Sequence, residues 1–324
     1  MAQRCTQCNK SFISRIYLEK HCATHHVTVK ATPFLKWVGG KTQILSEVLA
    51  KFPERIDTYY EPFLGGGSVL FGLLSRTCKP AHIIASDINE ALIYSYINIR
   101  DHCEEVIQAL TILKEELETA SARAFESVNR KPETKQDALE AAETYYYYIR
   151  QQYNQLADYK TVQATAYFIF LNKTCFRGVY REGPRGFNVP FGHYKNPKIF
   201  DVGELRSIAA AIHNVSFVCR SWDDTLQLVE RDSFIYLDPP YAPETATSFV
   251  GYTADGFSGE DHTRLFESCK KLRDKNVQFV MSNSDVPAVR DAFADGFEIS
   301  TIDCRRSINS KKPDARTMEV LVCS

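Results

Sequence analysis

The stretch "DTYYEPFLGGGSVLFGLL" (residues 57–74) runs from a short aromatic segment through three consecutive glycines into an apolar segment. It is read as an extended run ending at Glu61-Pro62-Phe63, a turn at Gly65-Gly66-Gly67, and a helix that begins near Ser68. Glycines between a strand and a helix let a ligand approach the backbone. Asp87 closes the next apolar run, "HIIASDINEALIYSYINI" (82–99), and an acid at that point can bind ribose hydroxyls. The turn reads F-x-G-G-G-S rather than the G-x-G-x-x-G of dinucleotide enzymes. It therefore suits any nucleoside cofactor without naming one, and a turn that only packs the core is the bland alternative.

Further buried strands follow at "NVSFVC" (214–219), "SFIYLD" (233–238) and "VQFVMSN" (277–283), and "GEDHTRLFESCKKLRDK" (259–275) forms an amphipathic helix between the last two. "FEISTID" and "TMEVLVC" then come as two strands joined by the polar loop "CRRSINSKKPDAR". The expected architecture is α/β, a parallel sheet ending in an antiparallel hairpin. Residues 101–211 are too long for a single crossover, and stretches such as "EEVIQALTILKEEL" and "DALEAAETYYYYIRQQY" are helical in pattern. They predict an inserted helical subdomain, leaving 29–100 and 212–324 for the sheet. The Tyr145 to Tyr148 run reads as helix packing plus surface rings.

With 324 residues and 44% hydrophobic composition, the chain can bury a full core. No stretch approaches a membrane span and the N-terminus has no apolar signal core, so a soluble, intracellular protein is expected. The net charge of -1 gives no global sign of a polyanionic partner. Locally, six basic residues (Lys173, Arg177, Arg181, Arg185, Lys195, Lys198) face the single acid Glu182 between Asn172 and Lys198. Of ten cysteines only Cys5, Cys8 and Cys22 cluster, and the other seven read as thiols in a reducing compartment.

The cluster belongs to "CTQCNKSFISRIYLEKHCATHH" (5–26), where Cys5 and Cys8 are followed by His21 and His25, and Phe12 and Leu18 stand between the pairs. This spacing suits a hairpin with two thiolates and a helix with two imidazoles around a tetrahedral zinc ion, and resembles a two-Cys, two-His zinc finger over residues 1–28. His26 is an alternative to His25. A segment this short needs the metal for its folding free energy.

Asp238 in "YLDPPYAPETATSF" (236–249) ends the fourth strand, at the carboxyl edge where open α/β sheets bind ligands. Pro239 and Pro240 stiffen the backbone and cannot donate, while their carbonyls still accept. The Asp238 carboxylate and the Pro239 carbonyl can then take both hydrogens of one amino group, with Tyr241 stacked on the ring that bears it.

From about Phe34 onward the chain resembles the Dam-like family of DNA adenine-N6 methyltransferases. The resemblance is carried, in the family's order, by "FLKWVGGK", "EPFLGGGS", "SDIN", "FLNKTCFRGVYR", "GFNVPFGHYKNP", "YLDPPYAPETATSF" and "MSNSD". It implies a Rossmann-like class I methyltransferase sheet, with the insert as a target-recognition subdomain. It also implies transfer of a methyl group from S-adenosylmethionine to the N6 amino group of an adenine flipped out of double-stranded DNA. By the same resemblance Trp37, Lys41, Asp87 and Asp238 contact S-adenosylmethionine, and Glu61, Phe63, Gly65 and Gly67 line its methionine end. Asp238, Pro239, Pro240 and Tyr241 form the catalytic segment. Trp222 and Asp223 lie where the cofactor's adenine can be gripped.

The loop "KTCFRGVYREGPRGFNVPFGHY" mixes basic and aromatic groups as DNA readers do. Family position makes Arg181 a guanine reader and Phe176 the wedge that fills the space of the extruded base. Lys36, Arg177, Asn188 and Pro190 are further DNA contacts. Family members carry Tyr or a similar ring at the wedge and Asn where Arg177 stands, so no target sequence is carried over. A monomer acting on DNA and a cognate restriction endonuclease as partner complete the expectation. The competing readings are a catalytically silent zinc-finger regulator and an RNA adenine methyltransferase.

Overall fold

The computed structural model describes residues 3–4, 11–14, 17, 31–123, 128–243, 256–305 and 316–324. The four zinc-ligand candidates Cys5, Cys8, His21 and His25 lie outside the described residues, as does most of the loop after Tyr241.

Seven strands form the main sheet: β1 (Thr58–Glu61), β2 (His82–Asp87), β3 (Val215–Cys219), β4 (Ser233–Leu237), β5 (Gln278–Ser284), β6 (Glu298–Arg305) and β7 (Arg316–Cys323). Their spatial order is β6-β7-β5-β4-β1-β2-β3. The first five are parallel, and β7 runs antiparallel to both β5 and β6. This is the α/β sheet with a final antiparallel hairpin expected from the sequence, consistent with a class I methyltransferase. All five residues of β4 are buried, as a parallel strand covered on both faces requires. From β1 the chain winds outward to β3, then returns to β4 on the other side of β1. That reversal opens a crevice beyond the carboxyl ends of β1 and β4, where Glu61 and Asp238 stand.

The helices are α1 (Leu45–Ala50), α2 (Ser68–Leu74), α3 (Glu90–Asp101), α4 (Cys103–Ser121), α5 (Lys135–Ala138), α6 (Ala142–Asn154), α7 (Val162–Thr174), α8 (Val202–Ile212), α9 (Trp222–Gln227), α10 (Gly259–Asp274) and α11 (Pro287–Ala292). The strand period of two divides them. Tyr59 belongs to an apolar cluster with Leu70, Ile83 and Tyr96, whereas Tyr60 belongs to one with Leu237, Leu265 and Phe279. Tyr145, Tyr146, Phe168 and Phe170, from α6 and α7, are in the Tyr59 cluster, so the inserted helices share a core with the sheet. Tyr145, Tyr146 and Tyr147 are buried and Tyr148 is half-buried, which makes the tyrosine run a packing feature.

The segment 137–153, helical throughout in pattern, is broken. Helix α5 closes at Ala138, and Ala141 sits in the extended region (φ -154°, ψ 149°) before α6. Leu139, Glu140 and Ala141 have no intrinsic reason to interrupt a helix, so tertiary packing has overridden propensity. Among the described residues no helix is long and apolar enough to cross a membrane.

Candidate active site

The glycine turn is held by the neighbouring strand β2 and by a bond of its own. Leu64 donates its N–H to Ser86 O at 3.0 Å, and Gly67 N–H closes the turn on Leu64 O at 2.9 Å. Gly67 has φ +70°, a left-handed conformation, and a Cβ there would lie 2.7 Å from the Tyr96 hydroxyl. Trp37 lies across the turn so closely that a Cβ on Gly66 would meet the Trp37 Cβ at 2.8 Å. Asp87 stands at the end of β2 as expected, and its carboxylate accepts from Gly65 N–H and Asn89 N–H, both at 3.0 Å. Burial raises its pKa, and these backbone N–H groups pull it back. Asp87 therefore shapes the turn.

Across the crevice, Lys41 and Asp238 form an ion pair of 2.8 Å, with Lys41 6% exposed and Asp238 19%. Lys41 Nζ also donates to Gly39 O at 2.7 Å and lies 4.9 Å from the centre of the Tyr241 ring. A solvated lysine is thus excluded. Burial pushes the Asp238 carboxyl up to about 6, and the Lys41 ammonium opposes that rise. Glu61, at the end of β1, is buried and accepts a 2.7 Å hydrogen bond from the Tyr59 hydroxyl. Burial drives its carboxyl to about 8, with the Asp238 charge adding to the rise.

The segment after Asp238 is gripped from the antiparallel side of the sheet. Tyr241 OH donates to Glu319 Oε2 on β7 at 2.7 Å. On β5, Asn283 Oδ1 accepts from Ala242 N–H at 2.9 Å, and Ser284 Oγ donates to Ala242 O at 2.5 Å. Pro239 is buried and Pro240 half-buried between these anchors. Asn283 Nδ2 is buried with no hydrogen-bond partner among the described residues. The sequence reading gave Asn283, Ser284 and Glu319 no role. The signals were the matching stretch "MSNSD", which holds Asn283 and Ser284, and a lone acid inside the apolar strand "TMEVLVC", whose partner is 78 residues away.

An aromatic slot flanks the same crevice. Phe63 and Trp222 are near-parallel, with centroids 6.3 Å apart and planes at 23°, and Phe257 closes on both rings. Arg264 lies over the Trp222 ring and pairs with Asp223 at 2.5 Å. Asp223 is therefore committed to an arginine, while Phe257 and Arg264 were not anticipated.

The DNA-contact candidates gather where α7 ends. Phe176 is 50% exposed, and the Arg177 guanidinium lies 5.2 Å from its ring centre, with Arg177 at φ 59°. A short antiparallel ladder, Glu182–Gly183 with Gly186–Phe187, turns the chain back. That return lets Arg181 Nε donate to Asn188 Oδ1 at 2.6 Å and Pro190 O accept from Phe176 N–H at 2.8 Å. Lys36 is tied to the same region: Asn172 bonds both its backbone groups, at 2.9 and 2.7 Å, and its ammonium lies 4.5 Å from the Tyr194 ring. Trp37 stacks on Tyr180 at 5.6 Å, which joins this face to the glycine turn. The structure thus gathers the six candidates around the end of α7 through these local contacts. Among the described residues there is no group of side chains that could hold a metal ion.

Residues 37–308 match the model of the D12 class N6 adenine-specific DNA methyltransferase family. The chain is 37% identical to the Type II methyltransferase M.MjaIII of Methanocaldococcus jannaschii over 87% of its own length and 94% of the relative's. It is 31% identical to the retron Ec67 DNA adenine methylase of Escherichia coli, with 89% of each chain covered. It is 32% identical to the DNA adenine methylase of Escherichia coli strain K12, over 90% of this chain and 95% of that one.

Proposed function

This chain belongs to the D12 class of N6 adenine-specific DNA methyltransferases, and from that premise we propose which of its residues carry the transfer. S-adenosylmethionine is the methyl donor expected of such an enzyme, and the crevice suits it. The glycine cradle leaves no room for a Cβ, Phe63 and Trp222 form an apolar slot, and Glu61 and Asp238 place two acids between them. When bound, the donor supplies a methyl group on a positively charged sulfur.

Because it stacks with Trp222, Phe63 would hold the donor's purine rather than line its methionine end as the resemblance implied; Trp37 would close over that methionine end, and Glu61 would accept from its amino group. Asp238 and the Pro239 carbonyl would accept the two N6 hydrogens of a flipped adenine. That localises the nitrogen lone pair, which the ring otherwise delocalises. Lys41 would keep Asp238 ionised and aimed, because a buried carboxylate without a counter-charge takes up a proton. Tyr241 would stack on the base. Once N6 carries the methyl group, its extra proton passes to Asp238 or to solvent.

On the outer face, residues 101–211 would act as the target-recognition subdomain. Arg181, with Asn188 orienting it, would read a base edge, Phe176 would fill the vacated stack, and Lys36, Arg177 and Pro190 would fix the strand. We further propose a zinc ion held by Cys5, Cys8, His21 and His25 that adds DNA affinity. This rests on ligand spacing alone, and a metal assay of the purified protein against a Cys5→Ser variant tests it. Monomeric action and a companion restriction endonuclease are part of the same proposal. The latter rests on the Type II naming of relatives.

The observation that carries the reading is the Lys41–Asp238 pair beside the glycine turn, with Tyr241 over it. Incubation with labelled donor and unmethylated duplex should label N6 of adenine in a defined sequence. Label on cytosine only, or none, rejects it.

A further inference from the structure

Tyr241 offers the crevice a flat ring, but a ring on a loop can swing. Here its tip is fixed by a 2.7 Å hydrogen bond to Glu319 Oε2. Glu319 lies directly opposite Ser284 in the β7–β5 register, and the Ser284 hydroxyl holds the carbonyl of the next residue, Ala242. One rung of the sheet therefore grips both the tip of the tyrosine and the backbone behind it. Glu319 is half-buried, and its charge helps to push the Cys304 thiol on β6 up to about 12, after burial itself. An acid in such a strand incurs desolvation, which a merely structural position would avoid with an apolar residue.

We propose that Glu319 is a positioning residue for methyl transfer, acting through the Tyr241 hydroxyl on the stacked target base; this rests on the site assignment given above. Two physical effects follow from one bond. The first is geometric: the anchored ring has fewer orientations to lose when the base stacks, so the base is held closer to its reactive pose. The second is electrostatic. A phenol donating to a carboxylate is richer in electrons, and its ring face interacts more favourably with nearby positive charge. Lys41 Nζ already lies 4.9 Å from that ring centre, and during transfer positive charge develops on N6 of the stacked adenine. No covalent bond to the Glu319 carboxylate is made or broken.

Single-turnover methyl transfer, donor binding and melting temperature should be measured for full-length Glu319→Ala, Glu319→Gln, Tyr241→Phe and the double variant Glu319→Ala/Tyr241→Phe, with Asp238→Ala as reference. Glu319→Ala should slow the transfer step about tenfold while donor affinity stays within about twofold. Glu319→Gln, which still accepts from the hydroxyl, should recover part of the rate. Adding Glu319→Ala to Tyr241→Phe should cost nothing further, because the shared bond is already gone. Multiplicative losses in the double variant, an unchanged rate in Glu319→Ala, or a slowed Glu319→Gln that also melts lower to the same degree would each overturn the inference. Should Glu319→Ala fail to fold, Glu319→Gln and Tyr241→Phe with their double variant form the same cycle. An active Asp238→Ala, which has no acceptor at that position, would instead sink the site assignment, so the two failures are distinguishable.

Discussion

Lys41 and Asp238 come from segments nearly two hundred residues apart, yet their charges meet at 2.8 Å where the carboxyl ends of β1 and β4 diverge. The pair is only slightly exposed, so its attraction is weakly screened, and loss of one partner leaves the other charge stranded.

Asp238→Ala removes the acceptor for N6. Methyl transfer should fall by at least about 100-fold, the scale of losing one charge-stabilising group in a dry site. Melting temperature should drop while the protein still folds, because the stranded Lys41 ammonium, 6% exposed, keeps only its bond to Gly39 O. Single-turnover assays beside a melting curve check both.

The pH profile should identify the acid. Asp238 must be ionised to accept, and its carboxyl is raised to about 6 by burial against the opposing Lys41 ammonium. Activity should rise with pH through about 6. Lys41→Met removes the opposing cation, so the acid limb should move to higher pH. An unmoved limb in kcat/KM for DNA against pH would assign it to another group.

Glu61 makes a stability prediction of the other kind. Its carboxyl is raised from 4.5 to about 8 in the folded state, so the native protein holds this proton more tightly than the unfolded chain does. Its favourable contribution is complete below about pH 4.5 and is lost as pH rises through about 8. Glu61→Gln still offers an acceptor to Tyr59 OH and cannot ionise. The variant's melting temperature should therefore gain on wild type between pH 6 and pH 9, as calorimetry at the two values would show.

Gly67→Ala should destabilise the protein by about 1–3 kcal/mol, from the strained positive φ and the Tyr96 hydroxyl in the way. Urea midpoints measure the loss. Donor affinity should fall with it, because the Leu64–Gly67 turn is the cradle.

Arg181→Ala should relax sequence preference at one base by about 1–3 kcal/mol. Phe176→Ala should instead slow base extrusion, and a 2-aminopurine placed at the target adenine would report that step. If Arg181→Ala left every site equally preferred, the guanine role would pass elsewhere.

Much of the architecture is legible in local patterns, because a strand buried on both faces and a glycine turn leave signatures in consecutive residues. The antiparallel hairpin, the β1 turn and the Asp87 position all follow from such runs. The break between α5 and α6 does not, since nothing in Leu139-Glu140-Ala141 announces it within a stretch that is helical in pattern.

What the sequence by itself determined is the set of chemical groups and their order: the glycines, the acid before two prolines, the ring after them, and the basic loop. Only the tertiary structure decided which of these meet. Lys41 could have been a solvated charge, Asp223 a free carboxylate and Glu319 an ordinary acid in an edge hairpin. Strand register and the β1–β4 reversal made them an ion pair, an arginine partner and an anchor for Tyr241. Contacts at such separation depend on how the sheet is wound, and no window of neighbouring residues encodes that.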